Sequence, residues 1–81
     1  MKELHLVIVS PERMVFDGKV DEVTLPGELG QFQILVNHAP IISSLVAGTV
    51  RYKTGKEETT LEIQGGFAEV NNNQISVCAE L

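Results

Sequence analysis

The chain has 81 residues, which is enough for one domain, and we place that domain over residues 1–81. Hydrophobic residues make up 43% of the sequence and charged residues 21%, a composition typical of a folded protein and not of a disordered one. Eleven acidic residues against six basic ones give a net charge of −5. A surface of this sign repels phosphate backbones, so a nucleic acid is not an expected partner.

Near the N-terminus, the apolar run at residues 6–9 is far shorter than the core of a signal peptide or a membrane span. The single cysteine, Cys78, cannot form an internal disulfide and is compatible with a reducing compartment. We therefore expect a protein that is not exported and that does not itself enter a bilayer.

The first half of the chain alternates apolar and polar residues with the period of β-strands. This alternation predicts strands at residues 3–9, 13–16, 19–25 and 32–36. Turn signals separate these strands: Pro11, the pair Asp17-Gly18, which suits a tight hairpin, and the pair Pro26-Gly27, which fits a type II turn.

Residues 41–46 are ambiguous between a helical turn and a strand. Because they are few and rich in β-branched residues, we interpret them as a short strand. The clearest hairpin in the sequence follows, joining residues 49–53 to residues 58–63 through a turn at Gly55.

The pair Gly65-Gly66 interrupts the alternation, and further strands are predicted at residues 67–70 and 75–80 on either side of an asparagine-rich turn. Helical periodicity is nearly absent along the whole chain. Nine or ten short strands in one small domain must close into two packed sheets, because a single flat sheet would leave one apolar face bare. The predicted fold class is therefore all-β, a flattened antiparallel β-sandwich.

The first predicted strand is apolar on both of its faces. One face carries Leu4, Leu6 and Ile8, and the other carries His5, Val7 and Val9. In an antiparallel sandwich one face of each strand normally meets water. A strand with two apolar faces therefore indicates a surface that a partner covers.

Residues for catalysis or metal binding do not form recognisable patterns. His5, His38 and Cys78 lie far apart in sequence and lack the spacing of zinc ligands. Adjacent acidic pairs such as Glu57-Glu58 point to opposite faces of a strand, so they cannot converge as an acid and base couple. We expect no catalytic residue, no metal and no cofactor, and an interaction module is a stronger hypothesis than an enzyme.

The stretch GQFQILVNHAP at residues 30–40 resembles the G-[ED]-[FL]-G-[IV]-L-P-[GA]-H-[AV]-P segment of the ε subunit of F-type ATP synthases. Flanking motifs agree with that family in order and spacing. They lie at residues 6–12, 15–18, 47–51, 65–70 and 74–80. The resemblance covers nearly the whole chain.

The resemblance implies a ten-stranded β-sandwich at the foot of the rotating central stalk, in a proton- or sodium-translocating synthase. One side would pack on the γ subunit and one end would rest on the membrane ring of c subunits, at the cytoplasmic face of the bacterial inner membrane. It implies no catalytic site. Residues expected to contact the c ring are Glu28, Leu29, Gly30, Gln31 and His38. From the two-sided apolar pattern, residues expected to face γ are Val7, Val9, Val77 and Cys78.

His38 has two compatible interpretations, a structural histidine whose ring bonds to a loop carbonyl and a surface residue facing the c ring. Some residues depart from the family pattern: Gln31 replaces its acid, Gln33 its second glycine, Val36 its proline and Asn37 its glycine. Asparagine tolerates a left-handed backbone, so the turn before His38 is expected to survive.

Most members of the family carry a C-terminal helical hairpin that can inhibit ATP hydrolysis, and the 81 residues stop where it would begin. If Leu81 is the natural end, we expect that inhibition to be absent or to arise differently. The alternative hypothesis is a free-standing β-sandwich that binds a small ligand or carbohydrate. A small hydrolase is a third, for which the sequence offers no convergent nucleophile and base.

Overall fold

A computed structural model of the chain describes residues 3–81, and every regular element in that range is a β-strand. The strands are β1 (Leu4–Val9), β2 (Met14–Val20), β3 (Glu22–Gly27), β4 (Gly30–Ile34), β5 (Ile41–Thr54), β6 (Glu57–Asn71) and β7 (Gln74–Glu80). The all-β fold class is confirmed. Over the same residues there is no helix of the length and apolarity needed to cross a membrane.

The seven strands form one hydrogen-bonded sheet in the order β2-β1-β7-β6-β5-β3-β4. Neighbours are antiparallel except β1 and β7, which run parallel. Ten strands in two separate sheets are therefore not confirmed. The difference arises because β5 has 14 residues and β6 has 15, and each joins two segments that the sequence predicted as separate strands. The pair Gly65-Gly66, which was expected to interrupt the strand pattern, lies within β6 and pairs with β5.

The sheet folds so that its two halves face each other. The rings of Phe16 in β2 and Tyr52 in β5 lie with centroids 4.5 Å apart, although three strands, β1, β7 and β6, lie between β2 and β5 in the sheet order. The Thr54 hydroxyl donates to the carbonyl of Lys19 at 3.2 Å, next to the β5–β6 turn. One continuous sheet therefore achieves the two packed layers of a sandwich.

All seven strands contribute to one apolar core. Its members are Leu4, Leu6, Ile8, Val20, Val23, Leu25, Ile34, Leu45, Val50, Tyr52, Ile63, Ala68, Val70, Ile75, Val77 and Ala79. In β1 and β7 every second side chain is buried, as the alternation predicted. Burial of these side chains is the main stabilising term for so small a domain.

Two predicted turns were wrong for the same physical reason. Asp17-Gly18 lies inside β2, and Pro26-Gly27 forms the end of β3. A Cβ added at Gly18 would approach the Phe16 ring to 3.1 Å, and one added at Gly27 would approach the Phe32 ring to 2.7 Å. These glycines therefore make room for aromatic rings within strands instead of reversing the chain. The predicted hairpin at Gly55 is confirmed, with a backbone φ of 63° at that residue.

Candidate functional site

Four apolar side chains lie together on the outer face of β1, β7 and β6. Strand pairing places Val9 beside Cys78 and Cys78 beside Phe67, with Val7 one position further along β1. We call Val7, Val9, Phe67 and Cys78 the outer patch. Phe67 is 52% exposed and the other members are half-buried. An exposed phenylalanine in a row of apolar neighbours is the kind of surface that a protein partner covers.

The four residues predicted to face γ do not share one surface. Val7, Val9 and Cys78 are brought together, but Val77 is 1% exposed and belongs to the core. Val77 precedes Cys78 directly, and neighbours on a strand point to opposite faces, so both cannot face a partner. Phe67 was missed. The alternation of Ala68 and Val70, both buried, with Phe67 could have placed it on the outer face.

A shallow apolar cleft borders the outer patch, with a volume of about 340 Å³. Its lining residues are Val9, Ser10, Pro11, Gly66, Phe67, Cys78, Ala79 and Glu80. Gly66 contributes only backbone to this lining. The cleft could receive an apolar side chain of a docked protein.

The hairpin between β3 and β4 carries a second group of exposed residues. Glu28, Gly30 and Gln31 are exposed, and Leu29 at the tip is fully exposed at 103%. The Glu28 N–H donates to the carbonyl of Ser44 at 3.0 Å, which fixes the base of the tip against β5. We call residues 28–31 the hairpin tip. A fixed backbone that presents an exposed leucine and polar neighbours is suited to contact with another protein.

His38 does not join the hairpin tip. It follows the opposite end of β4, and the four residue steps from Gly30 to Ile34 alone span roughly 14 Å. Its ring Nδ1 donates to the Ala39 carbonyl at 2.6 Å, as the structural interpretation expected. The preceding residue, Asn37, donates its backbone N–H to the Asn73 side chain at 2.6 Å. The five residues predicted to contact the c ring therefore fall into two places.

The histidine and acidic side chains of residues 3–81 are paired or dispersed. Within residues 3–81, no three histidine, cysteine, aspartate or glutamate side chains are grouped so that they could hold a metal ion. His5 pairs instead with Asp17, its Nε2 lying 2.5 Å from the Asp17 Oδ1 across β1 and β2. Both side chains are partly exposed, so this pair contributes little to stability.

Residues 3–81 match the family model described as the β-sandwich domain of the ATP synthase delta/epsilon chain. The chain belongs to the ATP synthase delta/epsilon family. The ATP synthase epsilon chain of Nitratidesulfovibrio vulgaris strain Miyazaki F is 48% identical over 79 residues, which cover 98% of this chain and 59% of that protein. The epsilon chain of Caulobacter vibrioides is 44% identical over 80 residues, which cover 99% of this chain and 93% of that one.

Solved structures show the same fold at low identity. A chain of the Euglena gracilis mitochondrial ATP synthase, in a structure of OSCP, F1 and c ring, superposes with a TM-score of 0.90 at 20% identity. The match covers 95% of this chain and 50% of that one. A chain from the central stalk and c ring of the Tetrahymena thermophila mitochondrial enzyme gives a TM-score of 0.82 at 15% identity, covering 99% and 65%.

Proposed function

We propose that the chain is a central-stalk subunit of a proton- or sodium-translocating F-type ATP synthase and couples the γ subunit to the membrane c ring during ATP synthesis. The single observation that carries the proposal is the family match, which extends over residues 3–81. In this role the chain is peripheral to the membrane, at the cytoplasmic face of the bacterial inner membrane.

The two surfaces of the domain suit a coupling role. The outer patch of Val7, Val9, Phe67 and Cys78 is apolar and is assigned to γ, because stable contacts between subunits bury apolar area. The hairpin tip, residues 28–31, is assigned to the c ring. The two surfaces adjoin, because β5 alone lies between β3 and β6 and Ser44, which accepts the Glu28 N–H, pairs with Phe67, so γ and the c ring would be held at neighbouring sites.

The subunit is assigned no catalytic role of its own. A coupling element transmits force by resisting deformation, and a close-packed interior of the kind formed by the buried strands has low compressibility. The His5 ring pairs with the Asp17 carboxylate, and the His38 ring donates a hydrogen bond to the Ala39 carbonyl of its own loop.

The alternative of a free-standing ligand-binding module has less support. Carbohydrate sites need exposed aromatic faces, and of the four aromatic residues Phe16 and Tyr52 pack on each other while Phe32 packs against the core. Phe67 remains, and the cleft beside it is mainly apolar, with Ser10 and Glu80 as its polar side chains.

Co-purification tests the proposal. The tagged chain is mixed with its cognate γ subunit and detergent-solubilised c ring from the same organism, and bound proteins are quantified. We expect γ and c-ring subunits to be retained together, with one copy of the chain per γ. A Leu29→Asp variant should retain γ and lose the c ring. If wild-type chain retains neither partner, the proposed function is wrong.

A further inference from the structure

The two edges of the sheet differ in how they are protected. The β2 edge carries Asp17 and Lys19, and its pairing with β1 has a register shift. Charges and irregular pairing are the usual means by which edges avoid pairing with another strand. The β4 edge has neither: residues 30–36 contain no charged residue and no proline, and β4 pairs with β3 in an unbroken register.

The backbone of β4 points hydrogen-bonding groups outward at Gln31 and Gln33. Pro26 has no N–H, so Pro26 and Gln31 form a non-hydrogen-bonded pair, and the backbone N–H and C=O of Gln31 point away from β3. Hydrogen-bonded and non-hydrogen-bonded pairs alternate along an antiparallel ladder, so the N–H and C=O of Gln33 point away from β3 as well. Among residues 3–81, β4 has β3 as its one strand neighbour. The outward N–H and C=O groups are therefore available.

The arrangement is self-complementary about Phe32. If two copies pair antiparallel with Phe32 opposite Phe32, then Gln31 of each lies opposite Gln33 of the other. Both outward-directed residues then form hydrogen-bonded pairs, and each pair exchanges both N–H···O bonds. The exposed glutamine side chains lie next to each other on one face of the joined sheet, an arrangement that favours strand pairing.

The same register covers two exposed leucines. Leu29 and Leu35 flank β4 at its two ends and are 103% and 49% exposed. In the antiparallel pair, Leu29 of one copy lies beside Leu35 of the other at both ends of the contact. Two chains that each carry a net charge of −5 repel each other, but residues 29–35 are uncharged, so their pairing brings no like charges together.

We propose that the free chain forms a two-fold dimer by pairing the β4 edges of two copies, with Gln31 bonded to Gln33 across the axis. The proposal goes beyond the central-stalk function and does not depend on it. Because the contact covers Leu29, Gly30 and Gln31, a dimerised chain cannot present its hairpin tip to another partner. The short edge makes a small contact, which is typical of weak and reversible association.

Sedimentation equilibrium of the full chain tests the proposal, from about 10 μM to about 1 mM, a range that brackets weak association. We expect a monomer–dimer equilibrium that strengthens at higher salt, because salt screens the repulsion between the acidic chains. Gln33→Pro removes an outward N–H without disturbing the bonds to β3, so the fold should persist and the dissociation constant should rise at least about tenfold. Gln33→Ala is the matched control, since it keeps the N–H, and should dimerise within about threefold of wild type.

Amide hydrogen exchange gives a second, residue-specific measurement on the wild-type chain. Protection of the Gln31 and Gln33 amides should increase with protein concentration, while the Phe32 amide, bonded to β3, should be protected at every concentration. A chain that remains monomeric at about 1 mM overturns the proposal. So does a dimer that Gln33→Pro leaves intact, because that dimer would use another surface.

Discussion

Gly66 lies so close to Cys78 that a Cβ added at Gly66 would be 2.0 Å from the Cys78 carbonyl oxygen. The backbone φ of Gly66 is 148°, a value that residues with side chains rarely adopt. We expect Gly66→Ala to lower the free energy of unfolding by about 3 kcal/mol or more, since β6 and β7 must separate to admit the methyl group. Urea unfolding followed by circular dichroism measures the change.

The neighbouring glycine provides the control for Gly66→Ala. A Cβ at Gly65 would be 3.5 Å from the Leu45 carbonyl oxygen, an ordinary contact. Gly65→Ala should therefore change stability by less than about 1 kcal/mol in either direction. If both variants lower the free energy of unfolding by the same amount, the close approach of Gly66 to Cys78 is not what makes a side chain at position 66 destabilising.

Asn73 connects the β6–β7 turn to the loop that carries His38. Its side-chain oxygen accepts the Asn37 N–H at 2.6 Å, and its own φ is 62°. Asn73→Gly keeps the left-handed backbone and removes this bond, so it should cost about 1 kcal/mol. Asn72, with a φ of 51°, makes no such side-chain bond to residues 3–81, and Asn72→Gly should be neutral within about 0.5 kcal/mol. If both variants behave alike, the Asn37–Asn73 contact does not contribute to stability.

Burial raises the pKa of Tyr52 above its ordinary value of 10.0, and a hydrogen bond with Thr59 opposes this only in part. The folded state therefore holds the phenol proton more tightly than the unfolded state does. The contribution of Tyr52 to the free energy of unfolding is therefore fully present below pH 10 and is lost as the pH rises through the pKa of the folded state. Tyr52 is the one tyrosine in a chain without tryptophan, so its ultraviolet absorbance reports this titration directly. A midpoint at or below 10 would contradict the burial of its ring.

Leu29 should contribute to binding and not to folding. Its side chain is fully exposed, so Leu29→Asp should change the free energy of unfolding by less than about 0.5 kcal/mol. In the proposed assembly the same variant should weaken retention on the c ring, while Met14→Asp, at another exposed apolar side chain, should not. Thermal unfolding of Leu29→Asp and Met14→Asp, measured in one series, gives the stability of both variants. A large loss of stability in Leu29→Asp would show that the tip packs within the domain.

The alternation of residues was enough to predict the fold class and the inward faces of the strands. Leu4, Leu6 and Ile8 are buried, and Val77 and Ala79 share the inner face of β7 as their spacing indicates. Alternation reports which side chains share a face, and it does so without knowledge of the partner strand. For the same reason it could not show that β1 and β7 run parallel, since both orientations alternate alike.

Turn positions and strand number were less predictable because glycine has several uses. Gly18 and Gly27 accommodate aromatic rings, and Gly66 permits close approach of two strands, yet each was interpreted as a turn or a break. The sequence alone does not show which use applies, since the orientation of the Phe16 ring and the approach of the Cys78 carbonyl are set by the folded strands. The outer patch was predicted in part for a similar reason: Phe67 joins Val9 and Cys78 only through the pairing of β1, β7 and β6.

Calorimetric titration of the chain into its cognate γ subunit tests the central-stalk assignment most directly. We expect one chain per γ and a dissociation constant that Phe67→Asp raises at least about tenfold, because the charge would be buried at the centre of the contact. Thr60→Asp, at an exposed position on the same strand, should bind as wild type does. If the wild-type chain does not bind γ, the central-stalk assignment is wrong, and if Phe67→Asp binds equally well, γ does not bind at the outer patch.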